Sequence, residues 1–442
     1  MQTFLPTATR MGLIAMTLAA FLLSGCDSGG GSDNKDGLAQ IRLLNVSPGY
    51  DSLDLYVNDG ADGSDSVKFT AVGYETASNY AQFKSGTYSV KFKRNGVTGT
   101  LRTLSGDTLG KDSHAMYVAY GSNARFGVVK LGEDEGDADS QKTKVRALNT
   151  AEAGGVDVYL TDEAVALTDA TAQFSALASG ALSALASVDS GTYRLRVTGA
   201  GDKTDLRLDV SNIALDSRKV MTVLLTATQG GVLVNGMLLP QQADPSKKPN
   251  TKARVRGAVG ISSGGSVSAS IGGVSVLASG AIGAISSKYG QVAAGDAAVS
   301  LRVDGNQVAV ANQALAAGGD YTLLIWSDAD GIRTTLTSDD NRLPTATGKA
   351  KIRLLNGLSA LAVPATLAVD FSPVAEGVAL GQVSAFTEVD SGSDYQLDVS
   401  NTSTSANLLN RTAVTLQDTG VYTMFVWGGG ATAVSATLRK DR

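Results

Sequence analysis

Ala39-Gln-Ile-Arg-Leu-Leu-Asn45 opens a segment that returns three times in the chain. It comes back as Thr143-Lys-Val-Arg-Ala-Leu-Asn149, Ala253-Arg-Val-Arg-Gly-Ala-Val259 and Ala350-Lys-Ile-Arg-Leu-Leu-Asn356, roughly a hundred residues apart. Later stretches repeat with it: Ser85-Gly-Thr-Tyr-Ser-Val90, Ser190-Gly-Thr-Tyr-Arg-Leu195 and Ser391-Gly-Ser-Asp-Tyr-Gln396, with a weaker Ala294-Gly-Asp-Ala-Ala-Val299. Each copy ends near an apolar run: Ala115–Tyr120, Val220–Leu225, Tyr321–Trp326 and Tyr422–Trp427. Self-similarity at a fixed spacing marks a tandem array whose period is one structural unit.

Inside a unit the hydrophobic period is two. Leu53-Asp-Leu-Tyr-Val57, Tyr88-Ser-Val-Lys-Phe92, Tyr193-Arg-Leu-Arg-Val197 and Leu206-Arg-Leu-Asp-Val210 all alternate, as half-buried strands do. Turn signals such as Arg94-Asn-Gly96 and Asp304-Gly-Asn306 separate them, and Trp326–Ile332 and Trp427–Ala431 read as closing hairpins. The Ala-rich stretch Asp162–Leu185 reads as an insertion carrying strands rather than as a helix. About seven short strands in about 100 residues is the immunoglobulin-like pattern, here without its Cys and Trp signature. The expectation is an all-β chain, a tandem array of four immunoglobulin-like β-sandwich repeats at 38–131, 144–239, 253–337 and 350–442. The polar seams 132–143, 240–252 and 338–349 read as flexible linkers.

Composition excludes several chemistries. Among 442 residues there is one Cys, Cys26, and one His, His114. That rules out intrachain disulfides, Cys/His zinc sites and Cys–His dyads. Lys+Arg 37 against Asp+Glu 42 gives a net charge of −5, with no basic stretch suited to nucleic acid. No cofactor and no catalytic set is expected.

The first 25 residues read as a lipoprotein signal peptide: one charge, Arg10, then the apolar run Met11–Leu23, ending in Leu23-Ser-Gly-Cys26. Small residues directly before a Cys resemble the bacterial lipobox, which implies lipidation of Cys26. Residues 26–37 then form a Gly/Ser-rich tether. The expected address is the bacterial cell envelope, with a lipid anchor in the outer membrane or on the periplasmic face of the inner membrane, open to surface exposure. The membrane is thus the first expected partner.

Ile41-Arg-Leu-Leu-Asn-Val-Ser-Pro48, followed by Leu53-Asp-Leu-Tyr-Val57, resembles the opening motif of the bacterial extracellular family called domain of unknown function 4397. The second copy matches at Val145-Arg146, Asn149 and Val156-Asp-Val-Tyr159, the third keeps Val255-Arg256, and the fourth keeps Arg353 and Asn356. The resemblance implies lipoproteins or wall-anchored proteins and supplies no catalytic residue. In a hairpin joining 41–45 to 53–57, Arg42 would share a face with Asp54 and Tyr56 and pair with one of them. Arg146, Asp157 and Tyr159 would repeat the arrangement, and Asn45 would suit the turn. A structural role is expected for the whole set.

Other candidates carry less. His114 stands alone, without triad partners. The acidic cluster Glu133, Asp134, Glu135, Asp137, Asp139 lacks the spacing of a calcium loop, and Asp328 and Asp330 read as turn residues. Tyr120, Trp326 and Trp427 recur at strand ends, and exposed together they would form a ligand platform. The resulting reading is a non-catalytic, lipid-anchored envelope protein with a structural, adhesive or ligand-binding role, its partner an envelope polysaccharide or protein. A carbohydrate- or peptidoglycan-binding surface lipoprotein is the alternative, and an envelope hydrolase the third.

Overall fold

The protein's computed structural model describes residues 37–58, 64–262, 265–429 and 432–442. The lipobox and Cys26 lie outside the described residues. Residues 37–442 form one compact unit. It is all-β, with no α-helix among the described residues.

Each repeat is built on two sheets packed face to face, and the third adds a two-stranded ribbon of Gly295–Ala297 with Gln313–Leu315. In the first repeat one sheet centres on the opening strand Leu38–Val46, and the other is ordered Ser66–Gly73, Ser52–Asn58, Gly86–Arg94, Thr100–Leu109. The opening strand runs parallel to the late strand His114–Tyr120, with Gln40 opposite His114 and Val46 opposite Tyr120. The same parallel pair recurs as Lys142–Asn149 with Lys219–Ala227, Lys252–Gly260 with Asp320–Asp328, and Lys349–Gly357 with Val421–Gly429. A parallel pair needs a crossover, and here the whole second sheet serves as one. The closing hairpins form as read, with Asp328 opposite Gly331 and Gly429 opposite Thr432. The 162–185 stretch contributes the strand Phe174–Leu177.

The two sheets differ in how they are buried. Ile41 and Leu43 point inward, onto Leu53, Leu55, Val90 and Phe92. Leu44 and Val46 point the other way, into a cluster with Met116 and Val118 that also holds Leu148, Leu224, Met237 and Leu239 of the second repeat. The opening sheet is therefore covered on both faces, which is why its strands read as continuous apolar runs rather than alternating ones. Repeats three and four dock likewise through Ala258, Leu324, Leu355, Phe425 and Trp427. The array is thus two docked pairs rather than four beads.

The seams are correspondingly not free. Glu133, Asn250, Asp339 and Asn341 are all buried, and Ser246–Lys248 pairs as a strand with Val234–Pro240. The polar composition that suggests linkers instead supplies buried charges and caps to the docked faces.

Candidate functional site

The Asn of the opening motif is a clamp. Asn45 donates to the carbonyls of Tyr50 (3.2 Å) and Val72 (3.1 Å), and its Oδ1 accepts from the Ser47 amide (3.0 Å). Asn149 does the same with Gly154, Leu177 and Ala151, and Asn356 with Val363, Val378 and Leu358. All three are fully buried, so each ties the opening strand to two other segments through groups that water cannot satisfy. The third repeat has buried Val259 there and no such clamp.

Asp54 and Asp157 are clamps of another kind. Asp54 accepts from the Ala71 amide (2.8 Å) and from Asn95, while Asp157 accepts from the amides of Ala176 (2.7 Å) and Gly201 (2.9 Å). Ala71 and Ala176 have φ of 53° and 51°, a conformation unfavourable for alanine, and the carboxylate holds each amide in place. The opening strand and the strand of Asp54 lie in different sheets. The expected hairpin pairing of Arg42 with Asp54 or Tyr56 is therefore corrected: Lys93 lies over the Tyr56 ring, 4.3 Å from its centroid, and Tyr159 is buried.

Arg42, on the outward face with Leu44, instead binds the seam. It pairs with Glu133, donates to the Ala243 carbonyl of the second repeat (2.8 Å) and lies over Tyr80. Arg146 donates to Thr222 Oγ1 (3.0 Å) and to the carbonyl of Gly132 (2.7 Å). The second pair repeats this more heavily. Arg353 donates to Thr423 Oγ1 (3.0 Å) and the Ser338 carbonyl (3.1 Å), and pairs with Asp339. Arg256 donates to Thr322 Oγ1 (2.9 Å), pairs with Asp441, and stands 3.6 Å from Asp339. Asp339 also accepts from Thr322 (2.7 Å) and Tyr289 (2.8 Å). Burial opposes its ionisation, but the two guanidiniums prevail and hold its carboxyl below the usual range. Each motif Arg is thus a docking residue between repeats.

The strand-end aromatics lie within the same docked faces and do not build a common exposed platform. Trp427 is buried, stacked on Phe425 and against Gly283 of the third repeat. Trp326 packs reciprocally on Gly381 of the fourth, and Tyr120 on Gly180 of the second. These glycines have φ of +84°, +75° and +78° and no Cβ to strike the rings. His114 is held by Gln40 at Nε2 (2.8 Å) and Asp134 at Nδ1 (2.7 Å). Glu133 of the acidic cluster is committed to Arg42, and Asp328 and Asp330 pair with Arg333. No group of three or more His, Cys, Asp or Glu side chains is placed to hold a metal ion among the described residues.

Where repeats two, three and four meet there is a cleft of about 650 Å³. Its floor carries two arginines of the third repeat's opening strand, half-buried Arg254 and buried Arg256, both lying on the Tyr289 ring at 4.6 and 4.7 Å. Arg254 is neutralised by Asp320 (2.6 Å). Arg256 keeps a buried Nη2 without a hydrogen bond. Arg207, Lys288, Arg439, Lys440 and Arg442 stand around them, and the lining carboxylates are Asp202, Asp205 and Asp441. Sequence reasoning missed this cleft because its residues come from three repeats. The available signal was the charged close of the chain, Arg439-Lys-Asp-Arg442.

Comparison with known proteins follows from this geometry. The model of the family described as "Domain of unknown function (DUF4397)" matches residues 39–159 and 260–363, about half of the chain. Both stretches run from one repeat across a seam into the next, so what is matched includes the docked junction. Among curated proteins none matches. Among solved structures, a carbohydrate-binding module of family CBM26 from Eubacterium rectale Amy13K, crystallised with maltoheptaose, is similar at 12% identity and a TM-score of 0.15, over 46% of this chain and 97% of that one.

Proposed function

We propose a binding function without catalysis for this chain, which belongs to the family described as domain of unknown function (DUF4397). The docked sandwiches are a rigid scaffold, and the ligand is a component of the cell envelope taken where repeats two, three and four meet. The observation that carries this reading is the way the cleft is built. Its floor is made of the same residues, buried Arg256 and half-buried Tyr289, that clasp the repeats together, so its shape is set before any ligand arrives. A preformed concave site with convergent polar groups is the general form of a binding pocket. His114 supports the absence of catalysis, since both ring nitrogens are already engaged by Gln40 and Asp134. The carbohydrate reading built on Tyr120, Trp326 and Trp427 loses its platform, because those rings are spent on docking.

The address completes the proposal: acylated Cys26 and the tether hold the scaffold at a membrane of the envelope. Two experiments test the two halves. Hydrogen exchange of the full chain with purified peptidoglycan and envelope polysaccharide fractions is expected to slow at 202–207, 287–291 and 439–442. Slowing only elsewhere, or with no fraction, refutes the cleft. Labelling with a clickable palmitate analogue is expected in the wild type and absent in Cys26→Ala, and equal labelling of both refutes the anchor.

A further inference from the structure

The cleft also carries information about ligand charge, and the inference here rests on the reading of it as the binding site. The chain as a whole is negative, at −5, yet seven cationic residues line this one cleft beside three acidic ones. Three of the cations are matched by acids: Arg207 by Asp205, Arg254 by Asp320 and Arg256 by Asp441. The other four are held by neutral oxygens. Lys288 donates to Thr204 Oγ1 (2.9 Å), Arg439 to the Ser287 carbonyl, Lys440 to Gln417 Oε1, and Arg442 to the carbonyls of Gly231 (2.9 Å) and Asn341 (3.0 Å). Asp202 makes no hydrogen bond to them, its Oδ1 accepting from Thr204, and it acts on Lys288 through space.

Lys440, opposite the core residue Tyr422, turns to the other face of its strand. Lys288, Arg439 and Arg442 line one concavity with no carboxylate hydrogen-bonded to them and repel one another, and a fold does not gain from that arrangement alone. At Arg442 burial first, then the neighbouring Arg207 and Arg254, outweigh the pull of Glu152 and Asp320 and bring its guanidinium below the ordinary value. An arriving anion relieves this by offering charge-assisted hydrogen bonds, which are the stronger kind. The spread of these cations over repeats three and four favours a ligand with several charges over a single small anion.

The geometry points to a multivalent anion as the ligand: an envelope component bearing two or more phosphate or carboxylate groups, bound across Lys288, Arg439 and Arg442. Its source is either a free oligoanion or the anionic portion of a larger glycan or lipid, and the chemistry is shared.

The test uses the full chain and inorganic tripolyphosphate as the probe, with inorganic phosphate, citrate, vesicles of anionic phospholipid and a neutral glucan as further arms, read by calorimetry or sedimentation. Saturable binding of tripolyphosphate is expected, tighter than that of phosphate, and weakened as salt rises from about 0.05 to about 0.3 M. The double variant Lys288→Glu, Arg439→Glu is expected to lose affinity at least roughly tenfold, and the neutral pair Lys288→Gln, Arg439→Gln to lose less. The charge-matched control Lys111→Glu, Lys219→Glu, on exposed sites of repeats one and two, is expected to keep it. Vesicle binding that tripolyphosphate displaces assigns the source to lipid, and citrate binding extends the class to carboxylates. Equal affinity in the cleft and control variants overturns the proposal, as does failure to bind any polyanion. If the neutral glucan binds and slows exchange at 202–207 and 287–291 while polyanions do not, the cleft stands as the site and the anionic class falls.

Discussion

Asp339→Asn isolates the clasp between repeats three and four. The side chain is fully buried and receives Arg353, Thr322 and Tyr289, with Arg256 at 3.6 Å. Asparagine fills nearly the same volume, so no cavity opens. What changes is charge: two buried guanidiniums then face one carboxylate fewer. Removing one partner of a buried ion pair costs about 3–5 kcal/mol, mostly because the other charge is left uncompensated. With a urea slope of about 3 kcal/mol per M, the midpoint is expected to fall by roughly 1–2 M. The two tryptophans of the chain, Trp326 and Trp427, both pack across this interface, so their fluorescence reads the event directly. Adding Arg353→Met removes the orphaned charge and is expected to recover part of the loss. The sign with pH follows from the depressed carboxyl of Asp339: its contribution is complete above the unfolded carboxylate range, about 4, and is lost as pH falls through the lower folded value. Asp339→Asn is expected to flatten that acid limb. A midpoint shift below about 0.3 M, or a double variant weaker than the single, would refute the reasoning.

Further outcomes are expected elsewhere. Asn356→Ala strands two carbonyls and an amide and is expected to lower the stability of the fourth repeat by about 1–3 kcal/mol, measured by urea titration; a loss within about 0.5 kcal/mol of zero refutes the clamp. Gly381→Leu drives a side chain into the Trp326 ring and adds strain at φ +75°, so Trp emission is expected to shift to the red and the urea transition of the pair to come earlier. In limited proteolysis, cleavage within 132–143 and 338–349 is expected to be late, since Glu133, Asp339 and Asn341 are buried; early single-repeat fragments refute the docked pairs.

The repeats, their strands and the two-sheet plan were legible in the sequence, because alternation such as Leu53-Asp-Leu-Tyr-Val57 is written locally. The docking was half legible. Runs such as Leu43-Leu44 and Ala115–Tyr120 break the alternation, and a strand apolar on both sides needs two covers. What misled the reading was charge. Glu133 and Asp339 sit in polar stretches that look solvated, and only the folded chain reveals that each faces a motif Arg. The hairpin expected between the sequence neighbours 41–45 and 53–57 does not form for a related reason: the opening strand waits for a partner far downstream. The cleft was not legible, since Arg254, Lys288 and Arg442 are brought together only by tertiary docking.

That wait has a consequence for how the molecule comes into being. Gln40 and His114 are separated by 74 residues yet touch side by side. At about 5–20 residues per second on the ribosome, the opening strand spends roughly 4–15 s without its parallel neighbour, carrying apolar residues on both faces. Contacts of such long range also make for slow closure once the partner is present. During that interval Ile41–Val46 is an open edge of the kind that recruits other chains. The lower limit on how fast this protein can safely be made is therefore set by its first strand, and slowing synthesis without a chaperone prolongs the exposure instead of relieving it.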